Sequence, residues 1–277
     1  MKITILVDNN TTKEGLIPEW GFSALIQDGE NTILFDTGET DVFLQNAKTL
    51  GIDLSGVTHV VLSHAHVDHT SGLLSFVNAG YTNYQLLINR YFFTRKYWDQ
   101  DTGYQYVGNA FDQEYIARHQ ISTVMVSHPV HPIGSKNTTW LMGECQRLLP
   151  FEKMDPVQLM WNGADYVVDT FREEQNLVID TPMGLIIISG CAHVGICNII
   201  QNAKQQFGKP VYAFVGGTHF VACEQNPYRM EESVAYLNSC GIQHIYACHC
   251  TSEFGNQVLS QNCPAFSPVG VGTVLEF

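Results

Sequence analysis

Positive charge is scarce in this sequence. Its 277 residues hold 14 Lys and Arg against 27 Asp and Glu, which gives a formal net charge of -13. Proteins that bind nucleic acid use clustered Lys and Arg to displace counterions from phosphates, and the longest basic grouping here is the pair Arg95 and Lys96. We therefore predict neither a nucleic-acid partner nor an anionic membrane partner. A small anionic substrate held beside a metal ion remains compatible with this charge.

Long apolar runs and paired cysteines are also missing. No run approaches the ~20 apolar residues of a membrane span, and the opening stretch "MKITILVD" is typical of a strand rather than of a secretory leader. The eight cysteines form neither a CxxC pair nor the spacing of an iron–sulfur cluster, which suits a reducing compartment. We predict a cytoplasmic protein, with its oligomeric state left open.

Apolar patterning predicts strands in both halves of the chain, several of them followed by a helix. The predicted strands are Ile3–Val7, Phe22–Gln27, Thr32–Phe35, Val60–Ser63, Gln85–Ile88, Asn176–Ile179, Leu185–Ser189, Val211–Val215 and Ile242–Ala247. The predicted helices are Asp41–Leu50, Val194–Phe207 and Tyr228–Ser239. A hairpin with the turn "TPMG" is expected between Thr170 and Ser189. Two sheets, each buttressed by helices, give an α/β (α+β) protein with αββα layers.

The segment from about residue 90 to 165 departs from this pattern. It is dense in aromatic residues, such as Tyr97, Trp98, Tyr104 and Tyr106, and later in Pro and Gly. Since no polar linker separates it from its flanks, we predict a single domain over residues 1–277 that carries an aromatic-rich insertion or cap at about 90–165. Its aromatic side chains either pack as a small core or subunit contact, or stack on a flat heterocycle.

The stretch "HVVLSHAHVDHTSGLL" places three histidines and one aspartate within six residues. After a buried strand that ends at Ser63, His64 and His66 stand two residues apart in extended backbone, so their side chains face the same way. Asp68 and His69 follow where the chain turns toward a helix. These side chains suit one cation or two neighbouring cations. Nitrogen and carboxylate donors favour zinc, with iron or manganese as alternatives.

Within that stretch, "LSHAHVDHTSGL" resembles the HxHxDH signature of the metallo-β-lactamase superfamily. Upstream, "ILFDTG" resembles the strand and loop that precede the signature, and we assign Asp36 and Thr37 to orienting the histidines by hydrogen bonds. Downstream, "IIISGCAHVGICNII", "FVGGTHF" and "ACHCT" resemble more narrowly the branch named after 7,8-dihydropterin-6-methyl-4-(β-D-ribofuranosyl)aminobenzene-5'-phosphate synthase. The resemblance covers the chain outside the insertion and implies the four-layer αββα sandwich of that superfamily.

The resemblance also implies metal ligands in the second half of the chain. It places them at His193, after the strand "LIIIS", and at His249, after "HIYA". His219 in "VGGTHF" is a metal ligand, a proton donor or an anion contact. Cys191 stands in "SGC", where many members carry a bridging aspartate in "SGD". It is either a thiolate ligand or a packed thiol, and in the second case a second metal ion is held less firmly.

Hydrolysis by a metal-dependent enzyme is the predicted activity. A divalent cation lowers the pKa of bound water from about 15.7 toward about 7, which supplies hydroxide at neutral pH. We assign catalytic roles to Asp68, which holds the water and passes a proton to the leaving group, and to His219. The predicted cofactor is one or two zinc ions. The predicted ligands are His64, His66, Asp68, His69, His193 and His249, with Cys191 and His219 as further candidates.

The predicted substrate is a small anionic or phosphorylated molecule, as for a phosphodiesterase-like enzyme, and pterin-like if the branch name applies. The alternatives are a pterin-pathway synthase, as that name implies, a thioester hydrolase, and a redox-active or oxygen-active di-iron protein on the same fold. Fold alone does not fix the substrate, so these alternatives stay open.

Overall fold

The computed structural model of the chain describes residues 1–11 and 13–277. The chain divides into two compact units. The first unit comprises Met1–Ser127, Pro156–Asp169 and Gly270–Phe277, and the second comprises His128–Asp155 and Thr170–Val269. The prediction of a single domain with an insertion stays a prediction.

The described residues form strands, helices and two short 3-10 turns. The strands are β1 Lys2–Val7, β2 Ser23–Asp28, β3 Asn31–Phe35, β4 His59–Val61, β5 Gln85–Asn89, β6 Lys96–Gln100, β7 Gly103–Tyr106, β8 Thr123–Val126, β9 Val130–Ile133, β10 Thr139–Gly143, β11 Gln158–Trp161, β12 Tyr166–Val168, β13 Gln175–Thr181, β14 Gly184–Ser189, β15 Val211–Gly217, β16 His244–Cys248, β17 Phe266–Pro268 and β18 Val274–Glu276. The helices are α1 Val42–Thr49, α2 Val67–Thr70, α3 Gly72–Asn78, α4 Gln113–Arg118, α5 Ile196–Phe207, α6 Pro227–Ser239 and α7 Ser252–Asn262. The 3-10 turns are Phe220–Cys223 and His249–Thr251.

The first unit is built on a seven-stranded sheet in the order β18-β1-β2-β3-β4-β5-β8. Strands β1 to β3 pair antiparallel, whereas β3, β4, β5 and β8 run parallel. The parallel strands are rich in Val, Ile and Leu because helices α1 and α3 pack against them and bury them. Phe43 and Ala47, four residues apart on α1, lie on its buried face, as the helical periodicity predicts.

A separate four-stranded antiparallel sheet of the first unit has the order β12-β11-β6-β7. Its residues fall within or next to the predicted insertion. Lys96 is fully buried at the start of β6, and its Nζ lies 2.6 Å from Oδ2 of Asp169. The same stretch of sequence also supplies β8 to the first seven-stranded sheet and β9 and β10 to the second.

The second unit contains a seven-stranded sheet in the order β17-β16-β15-β14-β13-β10-β9. Strands β14, β15, β16 and β17 are parallel neighbours, and helix α5 packs Ile196, Ile199 and Ile200 into the core. Strands β13 and β14 form the predicted hairpin, which is confirmed. Helix α5 ends at Phe207 and is capped by Gly208, whose φ of 65° is the left-handed conformation that glycine adopts at low cost.

Several elements differ from the sequence-based prediction. Helix α5 begins at Ile196 rather than Val194, because Glu152 accepts hydrogen bonds from the amides of Cys197 (2.9 Å) and Asn198 (2.6 Å) in its first turn. Helix α7 was not predicted, since its buried residues are only Gly255 and Leu259 and its apolar period is weak. The eight cysteines, which all lie in the described part of the chain, form no disulfide bond with one another. None of the described helices has the length and apolar character needed to cross a bilayer.

Candidate metal-binding residues in the two units

In the first unit, parallel strands deliver the HxHxDH residues to one edge of the sheet. Asp36 comes directly after β3, and Ser63 comes two residues after the end of β4. Because these neighbouring strands run parallel, both residues lie at the carboxyl edge of the sheet. The ring centroid of His64 lies 4.7 Å from that of His66 and 4.3 Å from that of His69. All three imidazoles are buried. The side chains of the predicted histidine cluster therefore lie close together.

Asp36 is the organising residue of this cluster. Its fully buried carboxylate accepts a hydrogen bond from the Ser63 amide (2.7 Å), from the Ser63 hydroxyl (2.7 Å) and from Nδ1 of His69 (2.8 Å). The Ser63 hydroxyl has a single proton, which goes to the carboxylate. Its oxygen therefore accepts from Nδ1 of His64, at 2.8 Å.

This network fixes the tautomers of two imidazoles. When Nδ1 carries the proton, Nε2 carries the lone pair, which is the form that ligates a metal ion. His64 and His69 are thus both held with Nε2 as the acceptor. Asp36 adopts a φ of 54°, an uncommon value for a non-glycine residue, and this strain is maintained by the surrounding hydrogen bonds.

Thr37 and Gly72 fix the backbone beneath His69. The amide and hydroxyl of Thr37 donate to the His69 carbonyl at 2.8 and 3.1 Å. Gly72 lies so close to Thr37 that a Cβ there would overlap the Thr37 carbonyl oxygen. Thr37 therefore acts through the backbone and not, as Asp36 does, on an imidazole nitrogen.

Asp68 lies beside His69 in the same cluster. Its Oδ2 is 3.6 Å from Nε2 of His69. Burial raises the pKa of Asp68, and the electrostatic interaction with His69 opposes that shift. The carboxylate of Asp68 thus lies near Nε2 of His69, the ring nitrogen that the Asp36 network leaves without a proton.

In the second unit, three parallel strands deliver the remaining candidates. Cys191 and His193 follow β14, His219 follows β15 and His249 follows β16, so all four emerge at the carboxyl edge of adjacent strands. The ring centroids of His193 and His219 are 4.3 Å apart. Both His219 (φ 54°) and His249 (φ 50°) have left-handed backbone, a strained state that clusters at functional sites.

His193 is held by two charged side chains, the buried Glu174 and the half-buried Arg147, which we call the Glu174–Arg147 clamp. The carboxylate of Glu174 accepts hydrogen bonds from the amides of His193 (2.6 Å) and Val194 (2.9 Å). The guanidinium of Arg147 donates to the carbonyls of the same two residues at 3.1 and 3.0 Å. Burial raises the pKa of Glu174 to about 7, against the lowering effect of the two amides and Arg147. Phe171 stacks on the imidazole, with ring centroids 3.8 Å apart and an interplanar angle of 2°.

His219 is neutral at physiological pH. Burial, with the nearby positive charges of Arg229 and Arg147, lowers its pKa to about 3. A neutral imidazole is suited to ligate a cation, and it cannot serve as an imidazolium proton donor near neutral pH.

Sulfur donors also gather at this edge. The sulfurs of Cys191 and Cys250 and a ring nitrogen of His249 all lie within 4.8 Å of one another. Sγ of Cys250 accepts from the His219 amide (3.2 Å) and donates to the Cys191 carbonyl (3.3 Å). Gly217 lacks the side chain that would block this approach, since a Cβ there would lie 2.6 Å from Sγ of Cys250.

Of the predicted residues, His64, His66, Asp68 and His69 lie in the first unit, and Cys191, His193, His219 and His249 lie in the second. Their ligand and catalytic roles stay predictions. Sequence reasoning missed Ser63, Arg147, Phe171, Glu174 and Cys250. Two of these had a visible signal, since Glu174 belongs to an acidic pair directly before a buried strand, and Cys250 adjoins His249 in "CHC".

Comparison with known proteins agrees with this arrangement. Residues 19–129 match the model of the metallo-beta-lactamase superfamily. A crystal structure of Tm1679, described as a metal-dependent hydrolase of the beta-lactamase superfamily, is 29% identical in sequence, with a TM-score of 0.86 over 100% of this chain and 99% of that one. The chain is thus similar to members of the metallo-β-lactamase superfamily in the sequence of residues 19–129 and in its fold. The predicted fold class and the prediction of an enzyme are confirmed, and the chain carries candidate metal-binding residues.

Two further proteins extend the comparison. The 7,8-dihydropterin-6-methyl-4-(beta-D-ribofuranosyl)-aminobenzene-5'-phosphate synthase of Methanocaldococcus jannaschii is 28% identical over 288 residues, covering 94% of this chain and 92% of the synthase. The Zn(2+)-bound PqqB of Methylobacterium extorquens is 12% identical, with a TM-score of 0.57 over 100% of both chains, and shares the fold alone. The absence of a nucleic-acid partner and the cytoplasmic location stay predictions.

Proposed function

We propose that the protein is a zinc-dependent hydrolase. His64, His66, Asp68 and His69 are the proposed ligands of the first unit, and His193 and His249 those of the second, with Cys191 and His219 as further candidates. The observation that carries this proposal is the Asp36 network, which leaves Nε2 of His64 and His69 unprotonated.

The chemistry of the donors fits a divalent cation. Neutral imidazoles with one carboxylate suit zinc, iron or manganese, and the thiols of Cys191 and Cys250 favour zinc among these. A bound zinc ion supplies a Lewis acid that polarises the scissile group and makes water acidic enough to ionise near neutral pH. One or two such ions fit the number of proposed ligands.

The side chains of the protein then orient and move protons. We assign Asp68 to accept a hydrogen bond from the attacking water and to pass a proton to the leaving group. His219, neutral because of its lowered pKa, acts as a ligand or as a hydrogen-bond donor to an anionic group. The Glu174–Arg147 clamp holds the backbone of His193 and so fixes the position of its imidazole.

We propose a small phosphorylated substrate with a pterin-like portion. The 28% identical synthase supports this choice, because its name describes a pterin joined to a ribofuranosyl phosphate. A phosphodiester or phosphoester is also the kind of group that a divalent cation and imidazoles polarise well.

The test compares metal content and hydrolysis in two histidine variants. His66→Ala removes a proposed ligand, whereas His59→Ala removes a half-buried histidine of the same segment whose Nδ1 lies 2.9 Å from the Thr58 hydroxyl. Each protein, loaded with zinc and dialysed, is assayed for metal and for activity on bis(p-nitrophenyl) phosphate, an acyl-thioester and a β-lactam. We expect His66→Ala alone to lose zinc and phosphodiesterase activity. Equal zinc in His66→Ala and the wild type would overturn the proposal.

The same assays separate the other candidates. Turnover of the acyl-thioester alone would indicate a thioester hydrolase, and iron in protein purified without added metal, with oxygen consumption, would indicate a di-iron protein. The synthase is favoured by the named relative. It is tested by incubating the zinc-loaded protein with a dihydropterin that bears a leaving group on its 6-methyl carbon and a ribofuranosyl aminobenzene phosphate. Mass spectrometry would then show whether the joined product forms or only hydrolysis products.

A further inference from the structure

One face of the four-stranded sheet carries a cluster of aromatic rings. The strand register puts Tyr97 opposite Tyr106 and Trp161 opposite Tyr166, and the alternation of side chains along β7 adds Tyr104 to the same face. We call these five residues the tyrosine face. Its rings are in contact, with centroids 5.4 Å apart for Tyr97 and Tyr106, 4.8 Å for Tyr97 and Tyr166, and 4.4 Å for Tyr104 and Tyr166.

The tyrosine face remains open to solvent. Tyr104, Tyr106 and Tyr166 are 52%, 49% and 39% exposed although they pack on one another. A group of rings that only closed its own small core would bury them further. A contiguous exposed aromatic patch is typical of a binding surface.

The tyrosine face is joined to the candidate metal ligands of the first unit. The Val67 amide donates to the Val107 carbonyl at 2.9 Å, and Gly108 forms an antiparallel bridge with His66. The ring of Tyr106 folds back over Gly108, where a Cβ would lie 2.7 Å from the Tyr106 hydroxyl oxygen. The backbone that follows the tyrosine face therefore pairs directly with the HxHxDH segment.

We propose that the tyrosine face is the subsite for a planar aromatic ring system of the substrate, with the scissile phosphate held at the histidines. This rests on the proposed function and adds the residues that select the substrate. Aromatic rings in edge-to-face and tilted contact, with phenolic hydroxyls at their edges, suit a flat heterocycle with polar edges better than an aliphatic chain. A second copy of the chain fits the tyrosine face less well than such a heterocycle does. Five side chains of about 200 Å² each, about half exposed or less, present roughly 500 Å² at most. This is below the about 800 Å² per partner of a stable interface.

Equilibrium binding to the full-length, zinc-loaded protein tests this subsite. The probe is pterin-6-carboxylate, a flat anionic heterocycle, and the matched probe is cyclohexanecarboxylate, which carries the same charge on a saturated ring. The double variant Tyr104→Leu/Tyr166→Leu removes two rings and keeps apolar bulk, whereas Tyr104→Phe/Tyr166→Phe keeps the rings. Tyr228→Leu, which changes a tyrosine 60% exposed on α6 of the second unit, is the control.

We expect the wild type to bind pterin-6-carboxylate and not cyclohexanecarboxylate. The Leu double variant should bind the pterin at least about tenfold more weakly, as when stacking on an aromatic side chain is lost. The Phe double variant and Tyr228→Leu should stay within about threefold of the wild type. If the Leu pair fails to fold, as shown by circular dichroism, the single variant Tyr104→Leu serves, since that ring is the most exposed of the face.

Two outcomes would overturn the subsite. One is unchanged pterin binding in the folded Leu variant. The other is a change of sedimentation from dimer to monomer with unchanged pterin binding, which would make the face a subunit contact. Both outcomes can be distinguished from failure of the proposed function, because the proposed function is tested by the zinc content of His66→Ala, whereas the subsite is tested by variants of the tyrosine face. If His66→Ala loses zinc while the Leu variant binds the pterin normally, the hydrolase proposal stands and the subsite does not.

Discussion

Replacing Asp36 with Asn changes one atom of the network that sets the histidine tautomers. The Asn carbonyl can still accept from the Ser63 amide, but its NH₂ group then faces the Ser63 hydroxyl and Nδ1 of His69, where the native Oδ2 accepts at 2.7 and 2.8 Å. Asn tolerates the φ of 54° at this position, so the backbone is not newly strained. The His69 proton is therefore driven from Nδ1 to Nε2, and the ligating lone pair is lost.

The expected effect is large enough to measure. Loss of a partner behind a ligating histidine weakens metal binding by about 10- to 100-fold, which is roughly 1.4 to 2.7 kcal/mol. We expect a loss of this size in zinc affinity for Asp36→Asn, measured by competition with a chromophoric chelator. Ser63→Ala removes the hydroxyl between Asp36 and His64 but leaves His69 in contact with the carboxylate, so its effect should be smaller.

A surface carboxylate provides the matched control. Asp53 accepts from the Ser55 amide (2.8 Å) and hydroxyl (2.7 Å), which reproduces the contacts of Asp36 with Ser63, but on an exposed turn. Asp53→Asn should leave zinc affinity unchanged. Zinc affinity of Asp36→Asn equal to that of Asp53→Asn, in protein that is folded, would refute the tautomer argument.

Three further predictions concern the clamp, the packing and the metal. Glu174→Gln places an NH₂ group opposite the amide of His193 or Val194, so we expect kcat on bis(p-nitrophenyl) phosphate to fall about tenfold, and an unchanged kcat would contradict the clamp. Gly72→Ala forces a Cβ against the Thr37 carbonyl oxygen, so we expect the free energy of unfolding, measured by urea denaturation, to fall by about 2 kcal/mol. A change below about 0.5 kcal/mol, which is the scatter of neutral surface substitutions, would contradict this prediction. Removing zinc with a chelator should lower Tm by about 10 °C, since zinc at roughly 1,000 times its Kd stabilises the native state by about 4 kcal/mol, and an equal Tm with and without chelator would argue against a buried site.

Local patterns made much of the fold predictable. The strands near Ile3, Val60 and Leu185 are apolar runs of buried sheets, and the β13–β14 hairpin follows from its turn residues. The cluster of His64, His66, Asp68 and His69 is visible because its members are close in sequence and follow a strand end.

The residues that support the histidines are distant in sequence and were harder to find. Ser63 meets Asp36 across 27 positions, and Glu174 meets His193 across 19, so only the pairing of strands brings them together. Arg147 and Phe171 come from loops whose sequence has no periodicity. The four-stranded sheet was missed for a related reason, because its strands are short and its aromatic residues are exposed rather than alternately buried.

X-ray absorption at the zinc edge of the zinc-loaded protein tests the central claim most directly, because it reports which atoms surround the metal ion. We predict a shell of nitrogen or oxygen donors at about 2.0–2.1 Å with the multiple scattering of at least three imidazole rings, and a sulfur shell at about 2.3 Å only if Cys191 or Cys250 is a ligand. A spectrum of oxygen donors without imidazole scattering would show that these histidines do not hold the metal.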